Sequence, residues 1–205
     1  MHLPNAIALI AALILGLFLP LSESTVSAQD TTTRDTATIE IQKFKLFRDL
    51  SSAQTEAAGR AAENAIWQFW FAQAPTPEVR KLLDAGIERR EAYDFEAAEK
   101  HLDKVVEAAP DYAEGFNQRA FVRFLRENFS DASDDLERAL ALEPDHFGAM
   151  AGQYQILRIE NRHQAAFTFL QEAVTLHPWL RERGALPREM WPDAYRDLHD
   201  KKSSI

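Results

Sequence analysis

The chain has 205 residues, 46% of them hydrophobic and 27% charged, a composition that excludes disorder throughout and suffices for one core or one short solenoid. Asp and Glu number 32 against 23 Lys and Arg, net −9, which repels phosphate backbones and anionic lipid, so nucleic acid is not expected as a partner. With no cysteine there is no disulfide and no lipid anchor of the cysteine type, and stability must come from packing alone.

Ala6 to Leu19 is an unbroken run of apolar residues and glycine that stops at Pro20 and leads to Val26-Ser27-Ala28 before Gln29. A hydrophobic stretch followed by a small-residue site is the layout of a secretory signal peptide, although no Lys or Arg precedes the run. It is shorter than the roughly 20 residues a spanning helix needs. Residues 1–28 are therefore expected to be a signal peptide, cleaved after Ala28 to release a soluble product; an uncleaved segment would be the only membrane contact.

Residues 29–38, rich in Thr and Asp without an apolar period, read as a flexible leader. Over 39–75, Ile41, Phe44, Phe47 and Leu50 fall at helical steps, then Ala58, Ala61, Ala65 and Phe69, with Ile66 and Trp70 alongside, predicting two amphipathic helices. Ser51 and Gln54 have the spacing of a capping box for the second. Thr76 and Pro77 supply a cap and first-turn proline for the next helix.

From there the chain repeats. Pro110, Pro144 and Pro178 stand 34 residues apart, and each follows the same helical stripe: Ala98, Leu102, Val105; Ala132, Leu136, Ala139; Ala166, Leu170, Ala173. Each proline ends a helix, because it lacks an amide donor and clashes with the preceding turn. An earlier helix precedes each stripe, with turns at 92–95, 127–129 and 161–163. Three helical pairs over 78–180 follow, as repeats 79–112, 113–146 and 147–180, then a short, partly irregular cap and tail over 181–205, broken by Gly184, Pro187 and Pro192.

This period and register resemble the tetratricopeptide repeat. The resemblance implies an all-α right-handed superhelix, with Gly86 opposite Ala98, Ala120 opposite Ala132, and Tyr154 opposite Ala166, a large residue expected to splay or rotate the third pair. It also implies a concave groove from fixed positions of each first helix. Carried over, these are Arg80, Leu83, Ile87, Arg90 and Glu91; Glu114, Asn117, Phe121, Phe124 and Leu125; Gly148, Ala151, Gln155, Arg158 and Ile159. The candidate groove residues singled out are Arg80, Ile87, Arg90, Asn117, Phe121, Phe124, Gln155 and Arg158. Two phenylalanines one turn apart in a helix are more often core, which is the alternative for Phe121 and Phe124. Where the family's terminal-carboxylate clamp would sit, Leu83, Ile87, Gln118, Gly148 and Gly152 stand instead, so that clamp is absent. The apolar leader, the Ala65–Trp70 phrase and three repeats together also resemble exported alphaproteobacterial repeat proteins, which implies the bacterial periplasm. The plainer reading of Trp67 and Trp70 is that they cover the exposed end of repeat one.

No phosphate loop, nucleophile elbow or HExxH zinc motif is present, so no catalytic function and no cofactor are expected. His146 and His177 fall in inter-repeat turns without a third ligand and read as solvent-exposed. Asp131, Asp134 and Asp135 lack a calcium-loop frame and read as first-turn acids favoured by the helix dipole. First helices carry net +3 and second helices net −6, consistent with two solvated faces or with a groove selecting an anionic or neutral extended peptide. The function expected is a non-enzymatic scaffold binding a protein or extended peptide; the alternative is a structural subunit of an envelope or cytochrome-maturation assembly.

Overall fold

A computed structural model of the chain describes residues 28–203. The signal segment expected over 1–28 lies, Ala28 apart, outside the described residues. The described residues fall in two compact units, divided between Ala37 and Thr38. Of the first, Ala28–Ala37 are helical and open α1 (Ala28–Ser52), so the stretch expected to be a leader without fold is helix instead. Adding a residue to an existing helix costs only its propensity, which for Thr and Asp is within about 0.7 kcal/mol.

The second unit continues with α2 (Glu56–Ala72), α3 (Pro77–Glu91), α4 (Phe95–Ala108), α5 (Ala113–Leu125), α6 (Phe129–Leu142), α7 (Phe147–Ile159) and α8 (His163–Leu176), then short 3₁₀ turns at Arg181–Ala185 and Arg188–Met190 and α9 (Asp193–Ser203). No strand occurs among the described residues. The fold is all-α, three helical hairpins α3–α4, α5–α6 and α7–α8 stacked in order.

Both ends of each hairpin follow from local chemistry. The residues before the repeat prolines, Ala109, Glu143 and His177, share one extended backbone, with ψ of 72°, 87° and 82°. That is the steric effect of a following proline, and it ends each second helix. Within the hairpins, Tyr93, Glu127 and Asn161 turn left-handed at φ 61°, 61° and 60°. Each ends its first helix with paired bonds, such as Glu127 N–H to Phe124 C=O at 3.0 Å and Asn128 N–H to Arg123 C=O at 2.9 Å. These satisfy carbonyls that the helix end would otherwise orphan.

The repeated stripe is the core. Ala98, Ala132 and Ala166 are fully buried, as are Val105, Ala139, Leu170 and Ala173. A buried leucine contributes about 1.5–3 kcal/mol, while the alanines let paired helices approach. Gly86 shows how close that approach is, since a Cβ there would lie 2.7 Å from Leu102 Cγ. In the third pair, where a splay or rotation was expected, Tyr154 is taken into the core: it is 1% exposed and its ring lies 6.4 Å from Phe167.

The two leading helices depart most from expectation. The buried face of α1 runs through Lys43, Leu46, Phe47 and Leu50, whereas Ile41 and Phe44 are 57% and 69% exposed. In α2 the buried line is Gly59, Ile66, Phe69 and Trp70; Ala58, Ala61 and Ala65 face solvent. Each aromatic ring buries about 150–250 Å², so the aromatics set the phase and the alanines follow. The cap of α2 is Thr55, which accepts from Ala58 N–H at 3.2 Å, because α1 runs on through Ser51. Thr76 and Pro77 open α3 as expected.

These helices run along the inter-repeat turns. Lys43 pairs with Glu143 and Asp145, and the Tyr112 hydroxyl donates to Trp70 C=O at 3.1 Å. Trp179 Nε1–H donates to Ala53 C=O at 3.1 Å. Trp70 stacks on His146 at 3.9 Å, and Trp67 meets Phe147 at 5.5 Å. The tryptophans therefore pack where repeats two and three join, while Phe71 and Ala74 pack against repeat one.

Candidate functional site

With α2 along one side, the inner helices α3, α5 and α7 keep an open cleft of about 500 Å³. On α7, Gly148, Ala151, Gly152 and Gln155 fall at helical spacing and line it with little side-chain bulk. Phe121 and Phe124 line it from α5, Trp67 and Phe71 from α2, Arg90 from α3, and Leu180, Arg181 and Glu182 beyond α8. Gly148 is what admits Trp67: a Cβ there would lie 2.5 Å from the Trp67 ring.

Of the residues expected in the groove, Arg90, Asn117, Phe121, Phe124 and Gln155 line this cleft together, and Arg80, Ile87 and Arg158 do not. Arg80 pairs with Asp84 at 2.8 Å on the same helix. Ile87 is half-buried against the core of repeat one, and Arg158 lies exposed over the Tyr154 ring at 5.4 Å. Phe121 is 47% exposed in the cleft, whereas Phe124 is half-buried, edge-on to Phe129 at 5.5 Å. Among the other carried-over positions, Leu83 and Glu114 are buried. The sequence reading missed Trp67, Phe71 and Gln118; the aromatic phrase on α2 was the available signal, and it was assigned to the end of repeat one.

No family model matches the chain. It is 34% identical over 139 residues to a TPR repeat-containing protein of Rhizobium etli, covering 65% of each chain. It is 40% identical over 68 residues to a tetratricopeptide repeat protein 36 homolog of Nematostella vectensis, covering 33% of this chain and 37% of that one. The chain thus spans 65% and 37% of the length of these relatives. The crystal structure of MamA superposes with a TM-score of 0.50 at 18% identity, covering 73% of this chain and 92% of that one, which shows the fold alone. The relatives, the 34-residue register and the stacked hairpins agree. These are tetratricopeptide repeats.

Most of the positive charge on the first helices of the tetratricopeptide repeats is already paired. Arg119 meets Asp135 at 2.6 Å and Asp103 at 3.0 Å; Arg123 meets Asp135 at 2.8 Å and Glu99 at 3.0 Å; Arg126 bonds Glu99. Burial works to lower the Arg119 guanidinium pKa, but Asp135 and Asp103 outweigh it and raise it. Asp135, read as a first-turn acid, is 4% exposed and joins the two hairpin layers. Among the described residues no group of acidic or histidine side chains is placed to hold a metal.

His146 and His177 are fully buried, correcting the expectation of solvent exposure. His146 Nδ1 accepts from Ala149 N–H at 3.1 Å and so caps α7, and Nε2, 2.8 Å from Glu114, carries the proton it donates. Glu114 accepts from Gln118 at 2.6 Å, and Gln118 accepts in turn from Arg90. A hydrogen-bonded chain thus runs from the inter-repeat turn to the cleft. His177 Nε2 lies 3.4 Å from Glu63, within ion-pair reach but misaligned for a hydrogen bond. That neighbour holds the Glu63 carboxyl below its ordinary pKa despite burial.

Proposed function

We propose that the protein is a non-enzymatic interaction scaffold and that its concave cleft takes a segment of a partner protein. The observation that carries this reading is Phe121, a large ring left 47% exposed in the cleft, where Trp67, Phe71 and Phe124 are half-buried and Phe147 is buried. Large aromatics beside arginine are the composition of binding hot spots. Replacing Phe121 with Ala should leave the melting temperature nearly unchanged and sharply reduce recovery of partners crosslinked in the native compartment. Unchanged recovery from folded protein would remove the cleft from the reading.

The same proposal includes export to the periplasm with removal of residues 1–28, supported by the apolar run Ala6–Leu19 and the Val26-Ser27-Ala28 site. Amino-terminal sequencing of protein from its native host should begin at Gln29; a mature chain beginning at Met1 would contradict it. A second reading, a fixed subunit of an envelope or cytochrome-maturation assembly, is favoured by exposed Ile41 and Phe44 on α1. A fixed subunit would co-purify at constant stoichiometry, whereas a peptide binder would exchange.

A further inference from the structure

We infer that the cleft recognises a partner segment carrying an acidic side chain next to a large apolar one, with Arg90 as the cation that meets the carboxylate. The inference rests on the cleft being the partner site.

Three arginines of the inner helices are shielded alike, with side chains 15%, 16% and 17% exposed for Arg119, Arg123 and Arg90. Arg119 and Arg123 each hold two carboxylates at 3.0 Å or less. Arg90 does not. Its hydrogen-bond acceptor is the neutral Gln118 amide, and among the described residues its ion-pair contact is the exposed Glu91 at 4.0 Å. Buried Glu114 acts on it only from beyond Gln118, being itself bonded to His146 and Gln118. A shielded guanidinium short of a counter-ion gains most from an incoming carboxylate, which it can grip with two parallel N–H bonds.

The apolar half lies beside it. Arg90 sits 4.8 Å over the Phe121 ring, and Gly148 and Gly152 seat the Trp67 and Leu136 side chains that extend the apolar wall of the cleft. Its volume of about 500 Å³ falls in the range of about 300–1,000 Å³ typical of ligand sites. The lining continues from Arg90 past α7 to Leu180, so a chain meeting Arg90 has room to run on, which favours an internal acidic residue over a chain end. The protein's net charge of −9 slows the approach of an acidic partner, but salt screens it beyond about 8 Å.

The test is an array of acetylated, amidated octapeptides with a fixed central Phe and every other position scanned, probed with the labelled chain. Asp or Glu beside the Phe should bind about tenfold better than Asn or Gln. Arg90→Gln should erase that preference while keeping selection for Phe over Ala. If Arg90→Gln fails to fold by circular dichroism, Arg90→Met, which keeps the packing of the stem without the charge, should have the same effect. Equal binding of acid and amide peptides, or an acid preference that survives these variants, overturns the inference and leaves the cleft reading standing. Stronger binding by a parallel set of the same octapeptides with free carboxyl termini overturns it in favour of a chain end. Self-association that blocks the cleft overturns it in favour of a second copy. Selection of no peptide at all overturns both.

Discussion

Phe121 and Phe124 are one helical turn apart, yet they divide between surface and core. Phe124→Ala should cost stability that Phe121→Ala does not, about 1–3 kcal/mol for a half-buried ring, measured by urea denaturation. Equal losses would mean both rings are core. Glu114 makes a sharper case at this scale, being 1% exposed and bonded to His146 and Gln118. Glu114→Ala orphans the His146 Nε2–H and one Gln118 amide proton, at about 1–3 kcal/mol each, so a stability loss of about 2–6 kcal/mol is expected. A loss under about 0.5 kcal/mol would show that the chain from His146 to Arg90 is not formed. Sequence reasoning placed both histidines in inter-repeat turns but exposed them, because the ring that buries His146 belongs to Trp70, 76 positions away along the chain.

Among the elements, those governed by local rules were legible. The prolines, the Thr76 cap and the alanine stripes act through neighbours within one or two turns, and the structure keeps all of them. The phases of α1 and α2 were not legible, because they depend on partners such as Trp179, His146 and Glu143, which periodicity cannot see. Five of the eight groove candidates line the cleft and Arg80, Ile87 and Arg158 do not, for the same reason: register fixes which residues face inward, but not which of them α2 and the ion pairs claim. The hairpin turns yield a further prediction. Glu127 holds φ 61° with an exposed side chain, a conformation costing an L-residue about 1–2 kcal/mol. Glu127→Gly removes that cost against a smaller entropic penalty, so a net gain of about 0.5–1 kcal/mol is expected in thermal unfolding. A destabilised variant would contradict the turn geometry.

Within residues 38–205, the repeats supply a curved inner face and the leading helices occupy one side of it. Lys43 with Glu143 and Asp145, Tyr112 with the end of α2, and Trp179 with Ala53 tie α1 and α2 to successive inter-repeat turns. What stays open is the strip from Arg90 through Phe121 to Gln155, and the account places the partner there. The most direct measurement installs a photocrosslinking amino acid at Gln155, in the cleft, and separately at exposed Glu107 on outer helix α4, then irradiates each in the native compartment. The account predicts a discrete partner adduct from position 155 that disappears when Phe121 is also changed to Ala, and none of that mass from position 107. An adduct formed from position 107 alone, or one from 155 that survives the loss of Phe121, would contradict it.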